Sequence, residues 1–186
     1  MRRVLTTVLL VGGLTLAGTS VAAAQKHGGF GAKTFRLGPV LGFGHVGDAG
    51  MSFGGRIEKG IKEVPNLGNG ILSIEGSFDY YSWNGDGALH DYSWKNIPIS
   101  GTVNYHVNTK SDKWGAFFGA GLGYENWSVD CPTSAGNACG TYSSGIYFVG
   151  RIGGTYAVAK AIQVYVDAGA GAATLSAGAM FLLGKN

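Results

Sequence analysis

Residues 114 to 124, Trp-Gly-Ala-Phe-Phe-Gly-Ala-Gly-Leu-Gly-Tyr, separate into two sets when every second position is taken. Trp114, Ala116, Phe118, Ala120, Leu122 and Tyr124 form one set; Gly115, Phe117, Gly119, Gly121, Gly123 and then Glu125 form the other. Side chains on a β-strand alternate between its faces. One face is therefore an apolar band with an aromatic ring at each end, and the other is almost bare backbone. Ten steps of about 3.3 Å on a strand tilted by roughly 40° rise about 25 Å, the height of an apolar band presented to a bilayer. Trp and Tyr rings settle at the two bilayer interfaces. A soluble protein has little reason to bracket an apolar strand face in that way.

The same period of two predicts eight strands, at 35–46, 49–60, 70–83, 92–108, 113–128, 141–158, 161–171 and 174–184. The connections at Gly47-Asp48, Ser111-Asp112, Ala159-Lys160 and 172–173 are tight, whereas 61–69, 84–91 and 129–140 are longer. Every neighbour is close enough for antiparallel pairing, so the expected fold is all-β: one eight-stranded antiparallel up-and-down transmembrane β-barrel. Closure leaves no strand edge for lipid to meet.

The two faces divide the chemistry. The outward set includes Leu37, Phe53, Ile74, Ile99, Val103, Phe148, Ile152 and Val166, with Tyr80, Tyr105, Trp114, Tyr124 and Tyr156 as membrane-interface aromatics. The inward set carries Arg36, Arg56, Glu58, Glu75, Asp79, Glu125, Arg151 and Asp167, beside Asn104, His106 and Gln163. Buried charge is tolerable only when paired and hydrogen-bonded. The eight charged residues are therefore expected to form a network that plugs a narrow lumen, with inner-face glycines giving space to the long side chains. A soluble barrel of the lipocalin type would invert this pattern and expose Trp114, Phe118, Leu122 and Tyr124 to water.

The first residues have a different period. Arg2 and Arg3 precede an apolar run from Val4 to Ala17, and Ala22-Ala23-Ala24 offers a small-residue cleavage site. Residues 1–24 read as a cleaved signal peptide, 25–34 as a flexible, Gly-rich lead-in, and 35–186 as the barrel domain. The chain has 14 Lys and Arg against 11 Asp and Glu. Two of the cations lie in the leader, so the remainder is nearly neutral and lacks the basic patch of a nucleic-acid binder. The 34 glycines show no triplet period and argue against helices. Cys131 and Cys139 bound a Pro-, Ser- and Gly-containing loop segment and read as a disulfide in an exported chain.

Candidate catalytic chemistry is thin. His27, His45, His90 and His106 are the histidines. No Gly-x-Ser-x-Gly elbow accompanies them. His90 stands beside Asp91 in a loop, and His106 reads as a polar lumen residue. No catalytic residue, metal site or cofactor is expected. Trp83, Trp94 and Trp127 lie at strand ends on the inward face, where they cap the barrel mouth or form a small binding surface with loops 84–91 and 129–140.

Taken together, the leader, the strand Phe118-Gly-Ala-Gly-Leu-Gly-Tyr124 and the strand Ile97-Pro-Ile-Ser-Gly-Thr-Val-Asn-Tyr105 resemble the small eight-stranded outer-membrane β-barrel proteins of Gram-negative bacteria. The resemblance covers residues 35–186. It implies a monomer in the cell outer membrane, with both termini periplasmic. It also implies contact with outer-membrane lipid and lipopolysaccharide, and delivery by the barrel assembly machinery, which reads a terminal aromatic residue. Here Phe181 is followed by Leu-Leu-Gly-Lys-Asn. That topology sets Lys59, Lys62, Lys110, Lys113, Lys160 and Lys185 at the periplasmic end, and Asp48, Asp86, Asp91 and Asp130 at the outer end. The expected role is structural or surface-interacting through the outer loops. The alternatives are a binder or narrow conduit for small apolar ligands at the mouth, and an outer-membrane lipid hydrolase.

Overall fold

The computed structural model describes residues 29–46, 49–86, 91–130 and 143–183. The expected leader, Cys131, Cys139, His27 and His90 lie outside the described residues. Eight strands follow one another: β1 (Phe35–Val46), β2 (Ala49–Val64), β3 (Gly70–Asp86), β4 (Asp91–Val107), β5 (Trp114–Asp130), β6 (Gly145–Ala159), β7 (Ile162–Ala170) and β8 (Leu175–Leu183). Each pairs antiparallel with the next, and β8 pairs with β1, so the sheet closes. A single 3-10 turn at Pro65–Leu67 joins β2 to β3.

Most strand bounds differ from the sequence pattern by one to four residues, the largest differences being the end of β2 and the start of β6. β2 continues to Val64 because a register shift between Gly60 and Lys62 absorbs one residue and re-aligns the ladder with β3. β6 begins at Gly145, where the ladder with β5 ends at the Glu125–Gly145 pair.

The barrel is uneven in height. β3, β4 and β5 have 17 residues each, whereas β7 and β8 have 9 each. We call the end where β1 begins and β8 finishes the near end, and the opposite one the far end. The long strands rise above the rest at the far end.

The outward surface is apolar. Ile146, Phe148 and Ile152 are 77%, 74% and 68% exposed, values an aqueous domain avoids for neighbouring large side chains. The buried interior is mostly polar: Arg36, Arg56, Glu58, Glu75, Asp79, Arg151 and Asp167 are all at most 9% exposed.

Inward glycines serve two purposes. A Cβ on Gly119 would meet Asn104 Oδ1 at 2.0 Å, so this glycine makes room for a lumen side chain. A Cβ on Gly121 would meet the Gly101 carbonyl oxygen at 2.0 Å. That glycine instead lets two strand backbones approach, a requirement the sequence pattern did not separate from the first.

Residues 29–34 correct the expectation of a flexible lead-in. Phe30 is fully buried. Lys33 N donates to the Gly60 carbonyl at 2.9 Å, Gly60 N to the Thr34 carbonyl at 2.8 Å, and Thr34 N to the Gly31 carbonyl at 3.1 Å. The segment folds under the near end and inserts its one aromatic ring into the lumen, beside Arg36 and His106.

Candidate functional site in the barrel lumen

The lumen is filled in layers. Nearest the Phe30 ring lies the Arg36 guanidinium, 4.2 Å from its centroid. The His106 ring centroid is 4.4 Å from that of Phe30, and Phe117 packs 5.4 Å beyond His106. A cation over an aromatic face is attracted by the ring quadrupole.

Glu58 is the hub of the next layer. Arg36 Nε and Nη2 donate to its Oε2 at 2.9 and 2.5 Å. Ser73 Oγ donates to Oε1 at 2.5 Å, Asn104 Nδ2 donates to the same oxygen at 3.1 Å, and His106 Nε2 lies 2.7 Å from it. Arg36 Nη1 reaches Gln163 Oε1 at 2.5 Å. Residues of β1, β3 and β4 thus meet at the carboxylate of β2, and Arg36 links it to Gln163 of β7. Closure brings them together, since a sheared barrel sets residues from many strands at one height.

A second layer lies farther along. Arg56 Nη1 donates to Asp167 Oδ2 at 2.5 Å, and its Nε is 3.7 Å from Glu75. Arg151 Nη1 is 2.7 Å from Glu75 Oε1, while its Nη2 donates to Thr102 Oγ1 at 2.6 Å. Asn104 Nδ2 also donates to Glu75 at 3.0 Å and so joins the layers. The Tyr165 ring lies 4.8 Å from the Arg56 guanidinium.

Above this, Ser52 Oγ donates to Asp79 Oδ1 at 2.9 Å. A cavity of about 30 Å³, enough for about two waters, is lined by Arg56, Asp79, Arg151, Asp167 and the hydroxyls of Ser77, Ser100 and Ser176. Tyr81, fully buried, crosses the lumen from β3 and donates its hydroxyl to the Ala172 carbonyl in the β7–β8 turn. Over Tyr81 stands an aromatic cluster on the rising strands. Trp83 stacks on Trp94 at 6.0 Å and meets Trp127 edge-on at 5.8 Å. Trp83, Trp127 and Ala172 pack against Tyr81.

Seven of the eight charged positions from the sequence thus lie buried in these layers. Glu125 differs: it is half-buried near the far end and joins none of the ion pairs among the described residues. Its face is inward, but it stands above the layers where the arginines lie. Of the aromatics, Trp114, Tyr124 and Tyr80 are 63%, 46% and 42% exposed. Trp114 packs on Tyr156 at 4.6 Å, and the Tyr105 hydroxyl donates to the Leu67 carbonyl. Trp114, Tyr105 and Tyr156 stand toward the near end, Tyr80 and Tyr124 toward the far end. Phe30, Tyr81, Ser52 and Ser73 were not singled out by the sequence. Inward parity alone was available for the last three, and nothing local marked Phe30.

No protein-family model and no curated protein matches this sequence. Solved structures do match its shape. The N-terminal β-barrel domain of Pseudomonas aeruginosa OprF aligns with a TM-score of 0.51 at 15% identity, covering 83% of this chain and 100% of that one. The outer membrane protein OprG of the same organism aligns with a TM-score of 0.51 at 9% identity, covering 86% of this chain and 92% of that one. The chain therefore has the fold of the small eight-stranded outer-membrane β-barrels.

Proposed function

We propose that the protein is a monomeric outer-membrane barrel with a closed lumen, acting as a structural or surface-interacting element through its far-end loops. The observation that carries this reading is the set of buried ion pairs in the lumen: Arg56–Asp167 and Arg151–Glu75 span it at 2.5 and 2.7 Å, and Arg36–Glu58 joins the neighbouring strands β1 and β2 at 2.5 Å. Each arginine is held by a carboxylate from another strand, and Phe30 and Tyr81 stand on either side of them. An ion crossing would have to part these contacts in a region of low dielectric. The outward apolar surface supports membrane insertion, since in water it would drive aggregation. The leader supports export. The connections 87–90 and 131–144, the latter holding a Cys131–Cys139 disulfide, are then the outer loops. The reading is non-enzymatic and needs no cofactor.

Planar-bilayer recording tests the closed lumen: steady, large conductance steps from purified protein would overturn it. The membrane reading is tested by gel mobility. Folded, unboiled protein should migrate differently from boiled protein, and a water-soluble monomer without detergent would refute it. Shortening the connections 87–90 and 131–144 to tight turns should abolish surface binding while that mobility shift persists.

A second reading rests on Trp83, Trp94 and Trp127. Three indoles on the inward face of the rising strands offer a shelf for a small apolar ligand at the mouth. Under this reading Trp83→Ala lowers ligand affinity, whereas under the first it affects only packing of the far end.

A further inference from the structure

Among the described residues, the exposed lysines gather at one end. Lys33, Lys59, Lys62, Lys110, Lys113 and Lys160 are all exposed, and all stand at the near end. They lie on the N-terminal segment, the end of β2, the β4–β5 turn and the β6–β7 turn, and so are spread around the rim. Only Glu63 and Asp112 oppose them there among the described residues. At the far end β3 finishes on Asp86, β4 starts on Asp91 and β5 finishes on Asp130.

The lysines also sit at a defined height. Lys113 adjoins Trp114, whose ring packs on Tyr156. Lys59 is outward-facing on β2, between Ile57 and Ile61, which are 47% and 42% exposed. Its stem therefore runs along apolar surface, and its ammonium can be solvated only by extending toward the near rim. Long cationic side chains adopt this posture where a hydrocarbon layer meets headgroups.

We infer that this lysine collar binds the phosphates of anionic phospholipids in the leaflet facing the near end. The inference rests on the membrane reading above. Charge complementarity selects the occupant, because anionic headgroups beside a bilayer attract lysines within about a Debye length. The source is phospholipid rather than lipopolysaccharide because, on that reading, the far-end loops are the outer ones, which leaves the near end and its lysines in the inner leaflet.

The test uses the chain without its leader, folded in phosphatidylcholine vesicles with a minor fraction of phosphatidylglycerol. Protein-bound lipid is quantified by native mass spectrometry. The wild type should enrich phosphatidylglycerol several-fold over the bulk ratio, and raised salt should reduce that enrichment. Replacing Lys33, Lys59, Lys62, Lys110, Lys113 and Lys160 by Gln should return the ratio to bulk, whereas replacing them by Arg should keep it. Gel mobility in pure phosphatidylcholine reports folding separately for each variant. Absence of enrichment in folded wild type, or enrichment retained in the folded Gln variant, overturns the collar. Displacement of phosphatidylglycerol by lipid A overturns the assignment to phospholipid. Absence of any mobility shift in the wild type overturns the membrane reading, and the collar with it.

Discussion

Replacing Glu58 by Ala decides whether the lumen is dry. Glu58 is 1% exposed and Arg36 3%. Removing one partner of a buried ion pair leaves the other charge uncompensated and costs about 3–5 kcal/mol. The surroundings moderate the loss. Arg36 keeps Gln163 at 2.5 Å and the Phe30 ring at 4.2 Å. Asn104 keeps Glu75 at 3.0 Å, and Ser73 keeps only a long contact to the Asn104 carbonyl at 3.4 Å. His106 retains its aromatic neighbours but loses the carboxylate at 2.7 Å. The expected cost is therefore near the lower bound, about 3 kcal/mol.

The assay is urea unfolding of the barrel in phospholipid vesicles, followed by tryptophan fluorescence. The midpoint should fall with an unchanged slope, since the exposed surface does not change. A double variant, Arg36→Met with Glu58→Leu, should be less destabilised than the sum of its single changes, because no orphan charge remains. A loss below about 1 kcal/mol for Glu58→Ala would be the value of a solvated pair. It would mean that water fills the lumen and that the closed reading is wrong.

Other outcomes follow from the same geometry. Leu122→Arg, on the outward face at mid-band, should cost about 2–4 kcal/mol in vesicles, measured by the same unfolding midpoint. Gly121→Ala should block folding or lower the midpoint sharply, because its Cβ would meet the Gly101 carbonyl at 2.0 Å, whereas Gly101→Ala, whose nearest neighbour is 4.0 Å away, should be tolerated. Phe30→Ala should admit a small thiol reagent to a cysteine placed at Thr155, which is 3% exposed on the inward face, in a background with Cys131 and Cys139 replaced by Ser. Equal labelling with Phe30 present would show that segment 29–34 does not seal the near end.

The architecture was legible because two solvents act on opposite faces of each strand. A slip of one residue exchanges every side chain between them, so the pattern fixes register wherever one face is apolar. The signal weakens where that division ends. Between Gly60 and Val64, Lys62 and Glu63 follow Ile61, and all three are exposed. Alternation there no longer marks a strand, although the shift between Gly60 and Lys62 keeps β2 paired with β3. The far ends of β3 and β4 are similar: polar residues continue the ladder to the Asp86–Asp91 pair with no apolar face to announce it.

The lumen was legible in membership but not in pairing. Parity says which face a side chain takes, and it gave the inward direction for Arg56 and Asp167. It says nothing about which residues meet across the barrel. Those two stand 111 positions apart in the chain, on β2 and β7, and only the stagger of the closed sheet brings them to one height. Height explains Glu125 too, since it has the right face but stands above the arginines. Phe30 is the limiting case. Between Gly29 and Gly31, it belongs to no alternating run, and its neighbours favour a loop. Its slot is formed by Arg36 of β1, His106 of β4 and Phe117 of β5. No one of these strands contains the slot, so no local pattern can predict the residue that fills it. Inferences about what such a barrel admits therefore depend on residues that its sequence period does not flag.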